Sequence, residues 1–62
     1  MINNDVELRV TLDRISRFQV QVARIREVEK NPENYRHSVS GFLAELDKMN
    51  LEVREYLWKH PE

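Results

Sequence analysis

Apolar side chains recur at alternating intervals of four and three residues along the second half of the chain. The positions that follow this spacing are Tyr35, Val39, Phe42, Leu46, Met49, Val53 and Tyr56. An α-helix has about 3.6 residues per turn, so this spacing places all seven side chains on one side of a helix. The pattern predicts a long helix over residues 32–59, with Leu43 and Leu57 widening its apolar side.

The first half of the chain takes up the same period from Ile15 onward. Its apolar positions are Leu8, Ile15, Phe18, Val22 and Ile25. Asn4 is a typical helix N-cap, and Glu7 three residues later completes a capping box, which predicts a helix over residues 5–29. Residues 6–12 also alternate between apolar and polar, which is the period of a strand, so both interpretations remain open for this stretch.

The two predicted helices are separated by the short segment 30–33, which contains Asn31 and Pro32. Proline disfavours helical backbone angles in the residue before it but suits the first position of a new helix. A short connection between two long helices predicts an antiparallel hairpin. With the turn placed at Pro32, Phe18 faces Leu46 and Leu8 faces Tyr56.

The predicted fold class is therefore all-α, with one domain over residues 1–62 that consists of two long helices in an antiparallel hairpin. Chains this short bury only about 60% of their unfolded surface and often need a partner. We expect two hairpins to dimerise into a coiled-coil-like four-helix bundle, with a helical hetero-partner as the alternative. The predicted hairpin and dimer core comprises Leu8, Ile15, Phe18, Val22, Ile25, Tyr35, Val39, Phe42, Leu43, Leu46, Met49, Val53, Tyr56 and Leu57.

The composition argues against most kinds of chemical site. The chain has no cysteine, its two histidines share no metal-ligand spacing, and no serine lies in a nucleophile motif. We therefore predict no catalytic residue, no metal, no cofactor and no small-molecule substrate. A net charge of −1 argues against nucleic-acid binding. With no apolar run of transmembrane length and no signal-peptide pattern, we expect a bacterial-type cytoplasmic protein.

Four residues are candidates for binding a protein partner: Arg14, Arg17, Arg24 and Trp58. No acidic residue lies between Asp13 and Glu27, so this part of the first helix is basic. The competing interpretation is a solvated face whose arginines pair with acidic residues of the second helix, with Arg14 near Glu52. For Trp58 the competing interpretation is a side chain that covers the end of the bundle.

Gly41 lies inside the second helical pattern, where glycine costs about 1 kcal/mol relative to alanine. We interpret it as a point where another helix approaches closely.

Several segments together resemble a group of small bacterial helical-hairpin proteins. They are Ile2-Asn3-Asn4 before the first helix, Asn31-Pro32-Glu33-Asn34-Tyr35 at the turn, Gly41-Phe42, and residues 51–57. Similar segments precede helix-turn-helix domains in antitoxin-like proteins. The resemblance implies a role near toxin–antitoxin or regulatory systems, and because we expect no DNA-binding domain after the hairpin, we do not expect a direct repressor.

The leading functional hypothesis is a non-enzymatic helical module for protein–protein interaction. The alternative is a DNA-binding dimer of the ribbon-helix-helix type, in which residues 6–12 form a strand. That strand would direct Glu7, Arg9 and Thr11 into the major groove.

Overall fold

A computed structural model describes residues 1–59 of the chain. It contains two helices, α1 (Asp5–Val28) and α2 (Pro32–Trp58), and the described residues form no strand. The helices run antiparallel in a hairpin that measures 49 × 15 × 12 Å. The all-helical prediction is thus confirmed for the described residues. Residues 6–12 lie within α1, so the helical interpretation of that stretch holds.

The start of α1 is held by hydrogen bonds from side chains to the backbone. Asn4 has extended backbone angles, and its Oδ1 accepts a hydrogen bond of 2.8 Å from the Glu7 N–H. The Glu7 carboxylate accepts in turn from the Asn3 N–H, also at 2.8 Å. This is the capping-box arrangement displaced by one residue, since the box normally returns to the N-cap N–H itself. It satisfies donors that the first helical turn leaves without partners.

The connection between the helices consists of residues 29–31. Glu29 and Asn31 have extended backbone angles, with ψ of 116° and 120°. The Asn31 Oδ1 accepts from the N–H groups of Glu33 and Asn34 at 2.9 and 3.2 Å, and Pro32 occupies the first turn of α2. The connection is therefore short and capped at its second helix, which fixes where the chain reverses.

One apolar seam joins the two helices. At its middle Ile15 packs with Leu46 and Met49, and Phe18, Val22 and Val53 pack around them. The rings of Phe18 and Phe42 meet edge to face with centroids 5.4 Å apart, a favoured aromatic geometry. All seven positions of the α2 pattern are buried or half-buried, and so are Leu8, Thr11, Ile15, Phe18, Val22 and Ile25 of α1.

The register of the seam differs from the predicted one by about one helical turn. The Phe18 ring meets Phe42 edge to face, although the prediction placed Phe18 opposite Leu46. At the open end Tyr56 reaches Asp5, although the prediction placed it opposite Leu8. The reason is the position of the reversal, which is centred on residue 30 between the extended Glu29 and Asn31 rather than on Pro32.

Two residues of the predicted core lie outside the seam. Leu43 is 45% exposed and Leu57 is 63% exposed in the single hairpin. Two helices shield each other on one side only, so a residue one quarter-turn away from the seam remains in contact with water. If these leucines are buried, it is by another chain.

Gly41 is not a point of close approach within the hairpin. A Cβ atom built at Gly41 meets no atom within 4 Å, and the residue is exposed with an ordinary helical backbone. We therefore expect Gly41→Ala to raise the free energy of unfolding by about 0.5–1 kcal/mol, because alanine is the better helix former.

Urea unfolding followed by circular dichroism measures this change. Ala44→Gly, at an exposed position in the same helix, is the matched control and should lower stability by a similar amount. A Gly41→Ala variant less stable than the parent would contradict the open environment described here and would indicate that a partner helix needs the glycine.

Candidate partner-binding surface

The described residues form no cluster of three metal-ligating side chains. The depressions on the hairpin are open and lie near its ends. One is lined by Arg54, Glu55, Trp58 and Lys59 at the end of α2. The surface of the hairpin is therefore more informative about function than any enclosed cavity.

The four candidate partner-binding residues do not form a single patch. Trp58 lies at the open end of the hairpin and is 87% exposed. Arg24 lies near the turn, so at 1.5 Å per residue the two are separated by about 30 Å along the rod. Arg17 and Arg24 project from the side of α1 that faces away from α2. They thus cannot act together with Trp58 on one small ligand.

The arginines also do not form the ion pairs with α2 that the competing interpretation predicted. Within the described residues, Arg17 pairs with Asp13 of its own helix at 2.6 Å, between two exposed side chains. The Arg14 guanidinium lies 6.0 Å from the centroid of the Phe18 ring. Arg14 and Glu52 line the same depression, but the ion pair of Glu52 is with the Met1 amino group at 3.7 Å.

The two broad sides of the hairpin differ in polarity. Successive residues of an α-helix are rotated by about 100° around its axis. In an antiparallel pair, the side chains that lie a quarter-turn from the seam in the same rotational sense on both helices therefore share one side of the hairpin. On one side, which we call the polar face, these side chains are Glu7, Arg14 and Gln21 from α1 and Ser38, Glu45 and Glu52 from α2. Opposite charges share this face, so water solvates it at little cost.

The opposite side, which we call the leucine face, carries exposed apolar groups. From α2 it presents Leu43, Asp47, Asn50, Arg54 and Leu57, and from α1 it presents Asp5, Arg9, Leu12, Ser16, Gln19 and Ala23. Leu12 and Leu43 are each 45% exposed, and Leu57 is 63% exposed. The seam does not cover these side chains, so the leucine face is the candidate partner-binding surface.

Sequence reasoning missed a contact that closes the open end of the hairpin. The Tyr56 hydroxyl donates a hydrogen bond of 2.6 Å to Oδ1 of Asp5, joining the end of α2 to the start of α1. Ile2 lies beside Tyr56 and Glu52 and is only 8% exposed. The sequence offers only an indirect signal, since Ile2 lies one position further out than the apolar residue that commonly precedes an N-cap and packs on its own helix.

Neither helix offers a stretch long and apolar enough to cross a membrane within the described residues. No family model, no curated protein and no solved structure matches the chain.

The contact with Asp5 predicts an alkaline shift for Tyr56. The hydrogen bond to the Asp5 carboxylate, followed by partial burial and by the charges of Asp5 and Glu7, raises the pKa of Tyr56 above its ordinary value of about 10. A group whose pKa is raised on folding contributes stability below its unfolded pKa and loses it as the pH rises through the folded value. The contact should therefore stabilise the hairpin at neutral pH and fail in strong alkali.

Absorbance titration of the tyrosinate tests this shift. The chain has two tyrosines, so Tyr35→Phe leaves Tyr56 as the single phenol to titrate. Adding Asp5→Asn to that background should move the pKa of Tyr56 down towards its ordinary value. An unchanged titration curve in the double variant would show that Asp5 does not hold the hydroxyl.

Proposed function

We propose that this chain is a non-enzymatic helical interaction module that acts as a homodimer, with two hairpins forming a four-helix bundle. The leucine face supports this proposal, because it is the side of the hairpin that leaves Leu12, Leu43 and Leu57 in water. Layered helical domains are stable when each apolar face is covered by another element. A second hairpin supplies two helices at once.

The shape of the single hairpin carries the proposal. Its radius of gyration is 14.2 Å, whereas a compact chain of 62 residues has one of about 10.6 Å. Its accessible surface is 5384 Å², against roughly 4,200 Å² for a compact monomer of 7.5 kDa. The excess of about 1,200 Å² exceeds the ~800 Å² that each partner buries in a standard interface.

We extend the proposal to a small regulatory or antitoxin-like role in the cytoplasm. The resemblance of the turn and of residues 51–57 to bacterial helical-hairpin proteins supports this extension, and the extended leucine face is compatible with binding another helical protein in place of the second copy. The ribbon-type DNA-binding alternative required a strand over residues 6–12, and those residues lie in α1.

Sedimentation equilibrium tests the homodimer. We expect the parent chain to sediment at twice its mass of 7.5 kDa at micromolar concentration. The double variant Leu43→Asp/Leu57→Asp should weaken association at least ~100-fold, because burying unpaired carboxylates costs several kcal/mol and each 1.4 kcal/mol is tenfold.

Val10→Asp is the matched control for this experiment. Val10 is 56% exposed and lines one depression with Glu7 and Arg14, on the side of the hairpin away from the leucine face. The same chemical change there should leave the dimer intact. A folded monomer at micromolar concentration for the parent chain, or equal loss of dimer in both variants, would overturn the proposal.

A further inference from the structure

We infer that the second copy docks antiparallel, α2 against α2, about a two-fold axis that passes beside Asn50. This inference rests on the homodimer proposed above and adds its orientation and register. The surface that carries it is the α2 side of the leucine face: Leu43, Asp47, Asn50, Arg54 and Leu57. All five side chains are exposed in the single hairpin.

These five residues form a stripe along α2, separate from the seam with α1. They follow one another at intervals of four, three, four and three, the same spacing that buries the first seam against α1. Leu43 and Leu57 lie seven residues on either side of Asn50. The helix thus has one apolar seam inside its own hairpin, and a second stripe, with a leucine at each end and polar residues between them, that is available to another chain.

The stripe is complementary to its own reversed copy. When two α2 helices cross antiparallel at Asn50, Leu43 of each copy lies opposite Leu57 of the other. The same register places Asp47 of one copy beside Arg54 of the other, and the two-fold axis makes this pair twice. Within the part of the chain that the structure describes, the ion pairs involve neither Asp47 nor Arg54.

The charges disfavour the other face-to-face arrangement. In a parallel dimer, the α2 helix of one copy would lie on α1 of the other at matching heights along the rod. Arg54 would then face Arg9, and Leu57 would face Asp5. Asn50 would lie against Leu12, with no polar partner. The antiparallel arrangement also brings the two Arg9 side chains near the axis, but it alone pairs Asp47 with Arg54, and does so twice, so it is the more complementary of the two.

Asn50 sets the register in this arrangement. A carboxamide has both donor and acceptor groups, so two copies related by a two-fold axis satisfy each other. A polar residue in a helical interface fixes alignment because a shifted register leaves it unpaired, and here a shift would also separate Asp47 from Arg54. Leu12 of α1 lies at nearly the same height as Asn50, so the same axis also brings the two Leu12 side chains towards each other.

Cysteine cross-linking tests the register in a chain with no native cysteine. Asn50→Cys places a thiol at the axis, where the two Cα atoms fall within the ~4.4–6.8 Å that a disulfide spans. We expect this variant to oxidise to a covalent dimer in high yield. A mixture of Leu43→Cys and Leu57→Cys chains should form the mixed disulfide, and Glu45→Cys, on the polar face, should not cross-link.

The possible outcomes test the register of the two copies separately from whether a dimer forms. Suppose that sedimentation shows a dimer but Asn50→Cys does not cross-link. If a mixture of Asn50→Cys and Leu12→Cys chains then does cross-link, the dimer is parallel and this inference is overturned. If no dimer sediments, the proposed function fails as well. Asn50→Leu provides a second readout: it should raise the melting temperature yet lower the yield of the Leu43–Leu57 mixed disulfide, because the register loosens.

Solution scattering provides a test that needs no variant. The axis at Asn50 lies nearer the open end than the turn, so the two hairpins overlap only in part. The antiparallel dimer should be longer than the 49 Å hairpin by about 15 Å, at 1.5 Å per residue of offset. A dimer with the length of one hairpin would contradict the proposed register.

Discussion

Ile15 packs with Leu46 and Met49 halfway along the hairpin, and the rest of the fold depends on this contact between the helices. Neighbouring contacts extend it in both directions, through the Phe18–Phe42 ring pair towards the turn and through Val53 towards the open end. The seam is one side chain wide on each helix. Because the seam is this narrow, every other side of both helices faces water.

Polar contacts at the two ends determine how the seam is aligned. At the turn, Asn31 caps α2 and its own N–H donates to the Glu29 carboxylate, which sets the reversal at residue 30. At the open end, the Tyr56 hydroxyl reaches Asp5 beside the capped start of α1. Exposed hydrogen bonds contribute little stability individually. Their effect is to select one register among several that the apolar stripes would tolerate.

The sequence spacing predicts the helices and the residues of the seam, because burial on one side of a helix requires an interval of three to four residues. It does not predict the height at which the helices meet, since a shift by one turn preserves the same apolar faces. The position of the turn determines where along the rod the helices meet, and the extended backbone angles of Glu29 and Asn31 determine the position of the turn. The burial of Ile2 likewise depends on a tertiary contact at the helix ends.

The candidate surface was only partly predictable for a similar reason. Leu43 and Leu57 were identified as apolar positions beside the seam, but their exposure follows from the hairpin having only two helices. The arginine cluster looked contiguous in sequence, yet Arg14 lies on the polar face and Arg17 pairs within α1. Distance along the chain does not reveal which side of a helix pair a charge occupies until the direction of both helices is known.

We propose that one seam is too narrow to hold the hairpin alone, so that the chain folds only as it associates. The concentration dependence of thermal unfolding tests this coupling most directly, because a dimer that unfolds to separate chains is stabilised by mass action. The account predicts a melting temperature that rises steadily as the chain concentration increases from low to high micromolar. A sharp, reversible transition with the same midpoint at every concentration would contradict it.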